Sequence, residues 1–212
     1  VLWAVITYSL QIYFDFSGYS DMAIGAARML GFHLPKNFNF PYLSSNLTEF
    51  WKRWHITLSS WLQEYVYYSL GGNRKGRVRT YLNLLLTMVT GGLWHGAAWT
   101  FLVWGALHGI GLILHKLHLK YGISKGSKAG RLFCMLFTFT YASLCWVFFR
   151  ADSLSEAWLV LTQLFSFQTG ILQPYTWTFF SLLLLIACSV YYSIKKQTFA
   201  KNAKICYPVL PL

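Results

Sequence analysis

Charged residues, and acids above all, are scarce in this sequence. The 212 residues include 6 Asp and Glu against 18 Lys and Arg, and only 11% of the chain is charged. A water-soluble domain carries about 25% charged residues, so this composition excludes a soluble globular enzyme and a disordered chain. Uncharged apolar runs at 133–149 and 177–194 approach the ~17–25 residues that cross a bilayer. We therefore expect an integral membrane protein.

Metal-ligating and nucleophilic patterns are also missing. The chain has no His-Glu-x-x-His, no Walker-type phosphate loop and no Cys-x-x-Cys. Its four cysteines, Cys134, Cys145, Cys188 and Cys206, lack metal-ligand spacing, and none is near a histidine in sequence. We expect buried, inert thiols and no metal site. Direct group transfer assisted by one base fits these absences better than a covalent enzyme intermediate.

The basic residues lie in short connectors between the apolar runs. The segment Asn73–Arg79 and the segment Lys116–Arg131 carry several Lys and Arg and no acid. A basic stripe along one face, which would indicate nucleic-acid binding, is not present. By the positive-inside rule we expect both segments to be cytoplasmic.

The uncharged run between these segments predicts a break inside the membrane. Residues 81–114 would extend about 50 Å as one helix, which is too long for one span and short for two. Gly91-Gly92 is the natural place for a break, after a rise of about 18 Å from residue 80. The prediction puts His95 at a turn at membrane depth, where a titratable group indicates a functional site. A histidine with near-neutral pKa is a common general base.

Two further segments combine polar and aromatic residues. Val1–Phe14 resembles the end of a spanning helix and runs into Asp15–Asp21, whose carboxylates lie either in a wet cavity or in an interfacial loop. Apolar residues recur every three or four positions over 47–68, which predicts one amphipathic interfacial helix with His55 on its aromatic stripe. Asn46 and Glu49 form a capping-box-like start.

The C-terminal part predicts a helix at about 132–149 that leads outward to Arg150. Ser153 and Glu156 form a second capping box before an amphipathic segment with Leu154, Trp158, Leu161 and Phe165 on one face, and a last span covers about 176–194. The expected fold is an all-α polytopic membrane protein with spanning helices, a broken or re-entrant helix pair and interfacial amphipathic helices. Residues 1–212 would form a single membrane domain, the C-terminal part of a longer chain.

Four sequence blocks in a fixed order carry a resemblance to a known family. They are Asp15–Gly25 (DFSGYSDMAIG), Glu49–Ser59 (EFWKRWHITLS) with Leu70–Arg74 (LGGNR), Gly91–Ala97 (GGLWHGA) with Trp99–Phe101 and Trp104-Gly105, and Trp146–Ala151 (WVFFRA). Together they resemble the signature of the membrane-bound O-acyltransferases, specifically the alginate O-acetyltransferase branch. The region with these motifs extends over about 11–165. Gln63-Glu64 departs from the Arg-Asp expected there.

The resemblance implies an enzyme of the bacterial inner membrane, with several spans, that passes an acyl group, usually acetyl, to hydroxyls of an extracytoplasmic polysaccharide. It implies His95 as general base, His55 as the second catalytic histidine, and a substrate-binding group of Asp15, Tyr19, Asp21 and Trp94. No cofactor is expected to be tightly bound. An acyl donor such as acetyl-CoA or an acyl carrier would act on the cytoplasmic side, and a polysaccharide or a partner acetyltransferase would accept the group outside. The other expected partner is the lipid bilayer.

Three alternatives stay open at this point. The related branch of the family transfers D-alanine to teichoic acids, so D-alanyl or another acyl group could be the one moved. A transporter would also place polar residues at a helix break, although it predicts paired breaks in two related halves. A membrane scaffold would use His95 for packing alone.

Overall fold

The computed structural model describes residues 1–121 and 128–166, in which all regular secondary structure is helical and no strand occurs. The prediction of an all-α chain is therefore confirmed for the described part. The helices are α1 (Leu2–Met29), α2 (Leu47–Trp51), α3 (Ile56–Trp61), α4 (Arg77–His95), α5 (Trp99–Tyr121), α6 (Lys128–Arg150) and α7 (Leu154–Phe165), with a 3-10 turn at Pro41–Leu43 and a π-helix at Leu62–Tyr67. The last predicted span, about 176–194, lies outside the described residues, and so do Cys188 and Cys206.

The first helix, α1, is longer than predicted and contains both of its acids. It continues from the apolar run through Asp15 and Asp21, so the interfacial loop considered for this segment is wrong. No proline interrupts the run, and the chain leaves the helix at Gly31, whose φ of 83° is left-handed. The spacing of the polar residues in α1 therefore determines which of them share a face of the helix.

The single amphipathic helix predicted over 47–68 is wrong. The chain forms α2, breaks at residues 52–55, and resumes as α3 and the π-helix. The segment before α2 competes for the backbone groups at the break, because the amide of Asn39 donates to the carbonyl of Arg53 (2.9 Å) and Ile56 donates to Asn37 (2.9 Å). His55 consequently adopts a left-handed conformation, with φ 42°.

The start of α2 agrees with the predicted cap. The side chain of Asn46 accepts a hydrogen bond from the amide of Glu49 (2.8 Å). The Glu49 carboxylate accepts bonds from the amide and the hydroxyl of Ser45 (2.8 and 2.9 Å) and pairs with Arg53 (2.6 Å). Burial raises the pKa of Glu49, but these hydrogen bonds and the Arg53 charge outweigh it and hold the pKa below its usual value.

The predicted break at Gly91-Gly92 lies instead at Gly96–Ala98, because α4 continues to His95. The glycines serve close packing of α4 against α5. A Cβ at Gly92 would overlap the carbonyl oxygen of Phe101, and one at Gly105 would overlap the carbonyl oxygen of Met88. The 19 residues of α4 extend about 28 Å at 1.5 Å per residue, so His95 lies farther from the basic loop than predicted.

Among the described residues, two helices are long and apolar enough to cross a membrane, namely Trp99–Leu119 within α5 and Ala129–Arg150 within α6. The second confirms the helix predicted at about 132–149. Side chains on its outer surface, including those of Phe133 and Phe137, are exposed in the described structure. Cys145 is buried as expected, but Cys134 lies on this outer surface and is exposed, so the prediction of a buried thiol is wrong there.

The helix α7 begins with the predicted cap but turns a different face inward. The hydroxyl of Ser153 accepts a bond from the amide of Glu156 (3.2 Å). Trp158, predicted on the apolar face, is 68% exposed, whereas Ala157 is buried. Small residues on α6 and α7 let the two helices approach, and the buried set that results comprises Val5, Val147, Ala151 and Ala157.

Aromatic rings form the main core of the described structure. Its largest fully buried side chains include those of Phe50, Trp104 and Trp146. The Trp104 ring stacks on that of Trp146, with centroids 5.7 Å apart, and the Trp54 ring lies 4.9 Å from Trp146. Rings from α2, α5 and α6 thus fix these helices around one centre, and the residues next to this centre form the candidate site.

Candidate functional site

A cavity of about 630 Å³ opens beside the aromatic core. Helices α1, α4 and α6 and the break between α2 and α3 contribute its walls. The lining comprises Tyr8, Gln11, Ile12, Asp15, Phe16, Tyr19, Trp54, His55, Trp94, His95, Trp146, Phe149 and Arg150. The cavity therefore brings together five of the six predicted site residues, which come from three separate sequence blocks.

His95 is the last residue of α4, and aromatic rings surround it. Its ring meets the ring of Trp104 edge-on at 5.2 Å and that of Phe149 at 5.0 Å. The neighbouring Trp94 ring lies 5.1 Å away. Within the described residues no hydrogen bond is made to the His95 ring, so packing sets its orientation and its nitrogens can serve a ligand in the cavity.

His55 reaches the same cavity from the break between α2 and α3. Its ring meets that of Phe16 edge-on at 4.7 Å and that of Trp94 at 6.2 Å. Its Nδ1 lies 3.1 Å from Oδ1 of Asn37. His55 lies outside the helices that could cross a membrane; burial lowers its pKa to about 4, and the nearby His95 contributes to the decrease. The His55 imidazole is consequently neutral at physiological pH.

One face of α1 forms a third wall of the cavity. Tyr8, Gln11, Asp15 and Tyr19 recur at intervals of three or four residues and all line it. Asp21, predicted as a substrate-binding residue, is exposed and is not among the lining residues. Its place six residues beyond Asp15 puts it off the face that Asp15 shares with Tyr8 and Tyr19.

Several residues at the cavity were not predicted from the sequence. Tyr8 and Gln11 have a signal, because they continue the helical spacing of Asp15 towards the N-terminus once α1 is known to be one helix. Arg150 and Phe149 were recognised as a motif without a role, and the structure brings both to the cavity at the end of α6. Asn37 has no local signal, since 18 residues separate it from its partner His55.

The histidine next along the chain from His95 lies elsewhere. His108 on α5 is fully buried, and its ring stacks on that of Phe50 with centroids 6.1 Å apart. Trp51 meets it edge-on at 5.1 Å. These contacts give His108 a packing role in the aromatic core, and it does not line the cavity.

The arrangement suits acid–base chemistry on a bound polar ligand. Two imidazoles face one cavity, with the carboxylate of Asp15 and the guanidinium of Arg150 in its walls. Aromatic surface supplies the remainder and would exclude water from the reacting atoms. No three His, Cys, Asp or Glu residues in the described ranges are grouped as a metal site. A hydroxyl placed between the histidines could lose its proton to an imidazole.

Comparison with known proteins gives consistent matches. Residues 2–121 match MBOAT, the membrane-bound O-acyltransferase family. The chain is 51% identical over 162 residues to the probable alginate O-acetylase AlgI of Azotobacter vinelandii, a match that covers 76% of this chain and 32% of the relative. It is 49% identical over 156 residues to the peptidoglycan O-acetyltransferase of Helicobacter pylori, which covers 74% of this chain and 30% of the relative.

A more distant relative is named for a different activity. The teichoic acid D-alanyltransferase of Bacillus subtilis is 33% identical over 110 residues, with 49% of this chain and 28% of the relative covered. The chain thus spans about a third of the length of the curated relatives it matches. His55 and His95 both lie inside the range of the family match.

Proposed function

Because this chain belongs to the membrane-bound O-acyltransferase family, we propose that it transfers an acyl group, acetyl, to hydroxyls of an extracytoplasmic polysaccharide. The family match and the two relatives with O-acetyl-transferring names support the reaction class. The observation that carries the proposal is the shared cavity, in which His95 and His55 lie beside Asp15 and Arg150. Acyl transfer to a hydroxyl needs one base and a bound donor, and the cavity supplies the base.

In the proposed mechanism His95 acts as general base. One nitrogen of its imidazole removes the proton of the acceptor hydroxyl as the oxygen attacks the acyl carbonyl of a thioester donor. The new C–O bond forms, the C–S bond breaks, and the proton held by His95 passes to the leaving thiolate. The contacts with Trp104 and Phe149 hold the ring in place during both proton transfers.

The other cavity groups bind and orient the two substrates. Asp15 and Tyr19 on α1 offer oxygen atoms to sugar hydroxyls, and Trp94 offers an apolar face. Asp21, exposed and off the cavity face of α1, has no role in this mechanism. His55 is neutral and can accept a hydrogen bond from a second hydroxyl of the bound sugar. The donor binds transiently as acetyl-CoA or an acyl carrier.

The charge pattern orients the reaction across the bacterial inner membrane, in which the chain would be a multi-pass protein. Arg77 and Lys116 line one small pocket, so the basic ends of α4 and α5 lie together and would face the cytoplasm. His95 is at the other end of α4, about 28 Å along its axis, close to the ~30 Å of a hydrocarbon core. The acceptor polysaccharide, or a partner acetyltransferase, would approach from outside.

The test compares ester content in the bacterium that encodes the protein. His95→Ala and the control His118→Ala, an exposed histidine of α5, are introduced into the native gene and compared with wild type at matched membrane abundance. Mild base releases esterified acetate and D-alanine from the isolated polysaccharide, and both are quantified. We expect loss of at least about 100-fold in acetate ester for His95→Ala and wild-type ester for His118→Ala.

Other outcomes are decisive as well. Ester retained in His95→Ala would remove His95 as the base. D-alanine in place of acetate would assign the D-alanyl reaction instead. Wild-type polysaccharide without either ester would contradict acyl transfer to this class of acceptor.

A further inference from the structure

The side chain of Asn37 joins three parts of the chain at the edge of the cavity. Its Oδ1 lies 3.1 Å from Nδ1 of His55 and accepts bonds from the hydroxyl (3.0 Å) and the amide (3.3 Å) of Thr57. Its Nδ2 donates to the hydroxyl of Ser20 on α1 at 3.3 Å. One amide therefore connects α1 and the start of α3 to the ring of His55.

These partners determine which way the amide points. The backbone N–H of Thr57 can only donate, so the Asn37 atom that faces it must be the carbonyl oxygen. The same oxygen faces Nδ1 of His55. An oxygen acceptor requires the hydrogen of a neutral imidazole to be on Nδ1, which leaves the lone pair on Nε2.

We propose that Asn37 is a positioning residue that fixes the tautomer of His55, so that the ring presents the lone pair of Nε2 to the cavity. The proposal deepens the acyl-transfer function and rests on it for the consequence in catalysis. The tautomer itself depends on the local hydrogen bonds alone. Asn37 acts through His55 and does not line the cavity.

The backbone around His55 explains why such a clamp is needed. His55 has φ 42°, a left-handed conformation that is strained for a residue with a Cβ. The carbonyl of Asn37 accepts the amide of Ile56 (2.9 Å), so the same residue holds the backbone and the ring. Without this side chain both tautomers of His55 would be populated, and only one of them presents a hydrogen-bond acceptor to the bound sugar.

The first test measures the state of His55 without reference to activity. Diethyl pyrocarbonate modifies unprotonated imidazole nitrogens, and mass spectrometry gives the rate at His55 in the full-length membrane protein as a function of pH. Asn37→Asp keeps the acceptor oxygen but adds a charge beside Nδ1, and Asn39→Asp adds the same charge at an exposed position two residues away. The fixed groups around the ring, Asp15, Tyr19, His95 and Arg150, are identical in both variants.

We expect His55 in wild type and in Asn39→Asp to stay reactive as the pH falls from about 8 to about 5, because its pKa is about 4. In Asn37→Asp the carboxylate stabilises the imidazolium, which raises the pKa of His55, so the midpoint of the labelling curve moves up by about one pH unit or more. Coincident curves for the two Asp variants would overturn the proposal.

The second test follows the reaction. Asn37→Leu removes the acceptor and should lower kcat about tenfold or more, as loss of a histidine's orienting partner does elsewhere, with little change in KM. Asn37→Asp should retain activity at high pH and lose it at a higher pH than wild type as the pH falls. A wild-type kcat and pH profile in Asn37→Leu would refute the positioning role. Absence of any acyl transfer in wild type would refute the function and leave the labelling result to decide whether the side chain at position 37 acts on the His55 ring.

Discussion

The two histidines of the cavity are held in different ways. His95 ends a long helix and is oriented by the rings of Trp104 and Phe149, with no hydrogen bond to its ring within the described residues. His55 lies at a break between two short helices and is oriented by the hydrogen bond to Asn37. Packing leaves the ring nitrogens of His95 without a protein partner in the described part of the chain, so one of them can accept a proton from a ligand. The hydrogen bond to Asn37 occupies one nitrogen of His55 and thereby determines the protonation of the other. This difference supports the proposed roles of His95 in proton transfer and of His55 in binding.

The largest expected effect separates these two roles. His95→Gln should lower the rate of ester formation by about 10²–10⁴-fold, the range for loss of a general base, and His55→Gln should lower it less. Because residues that act as a unit are not additive, the double variant should be no slower than His95→Gln. The measurement is single-turnover acyl transfer by the full-length protein. If the fold losses in rate of the two single variants multiply in the double variant, the two histidines act independently. That result would contradict the division of roles between them.

The next prediction concerns the packing that holds His95. Gly105→Ala places a methyl group against the Met88 carbonyl and should separate α4 from α5. We expect destabilisation of about 1–3 kcal/mol, seen as a lower thermal midpoint in detergent. Gly25→Ala is the matched control, because nothing lies within 4 Å of a Cβ at that helical position. An equal midpoint for the two variants would mean that the close approach of α4 and α5 does not need the glycine.

The smallest effect concerns the start of α2, the short helix before the break. Glu49→Gln weakens the bonds from Ser45 and the pair with Arg53, and should cost about 1 kcal/mol at pH 7. The pKa of Glu49 is lowered in the folded protein, so its contribution is complete above the unfolded pKa and is lost as the pH falls through the folded pKa. The difference in thermal midpoint between wild type and Glu49→Gln should therefore shrink in acid.

Glu64→Gln is the control for the Glu49 variant, since Glu64 is exposed on the π-helix. We expect a midpoint within error of wild type from neutral pH to acid. A difference between wild type and Glu49→Gln that stays constant with pH would contradict the electrostatic origin of the effect. Hydrogen bonds would then fix the start of α2 without the charge of Glu49.

The family, the helical class and the two histidines could be predicted from sequence. Low charge content and long apolar runs predict a chain that enters a membrane. Backbone N–H and C=O groups find no water to bond with in lipid, so a segment there forms a helix, which pairs these groups internally. The motif blocks around His55 and His95 identified the family, which the match over residues 2–121 confirms. Both caps, at Asn46 and Ser153, were also predicted, since a cap depends on residues three positions apart.

The predictions that failed depend on contacts between distant residues. Gly91-Gly92 was expected to break a helix, but only the partner helix decides whether a glycine ends a helix or admits a close neighbour. The break at His55 was missed because Arg53 and Ile56 form backbone hydrogen bonds with a segment more than ten residues away in the chain. Local spacing cannot show either effect.

The sequence by itself therefore determined which groups could carry chemistry, and the tertiary structure decided which of them meet. Asp15 and Asp21 look equivalent in the chain, yet only Asp15 lines the cavity, because a helix repeats every 3.6 residues and turns the second acid away. Asn37 looks like a loop residue until the fold places its amide against His55. The chemical character of a side chain follows from its residue type, but its position and orientation depend on how the surrounding helices pack.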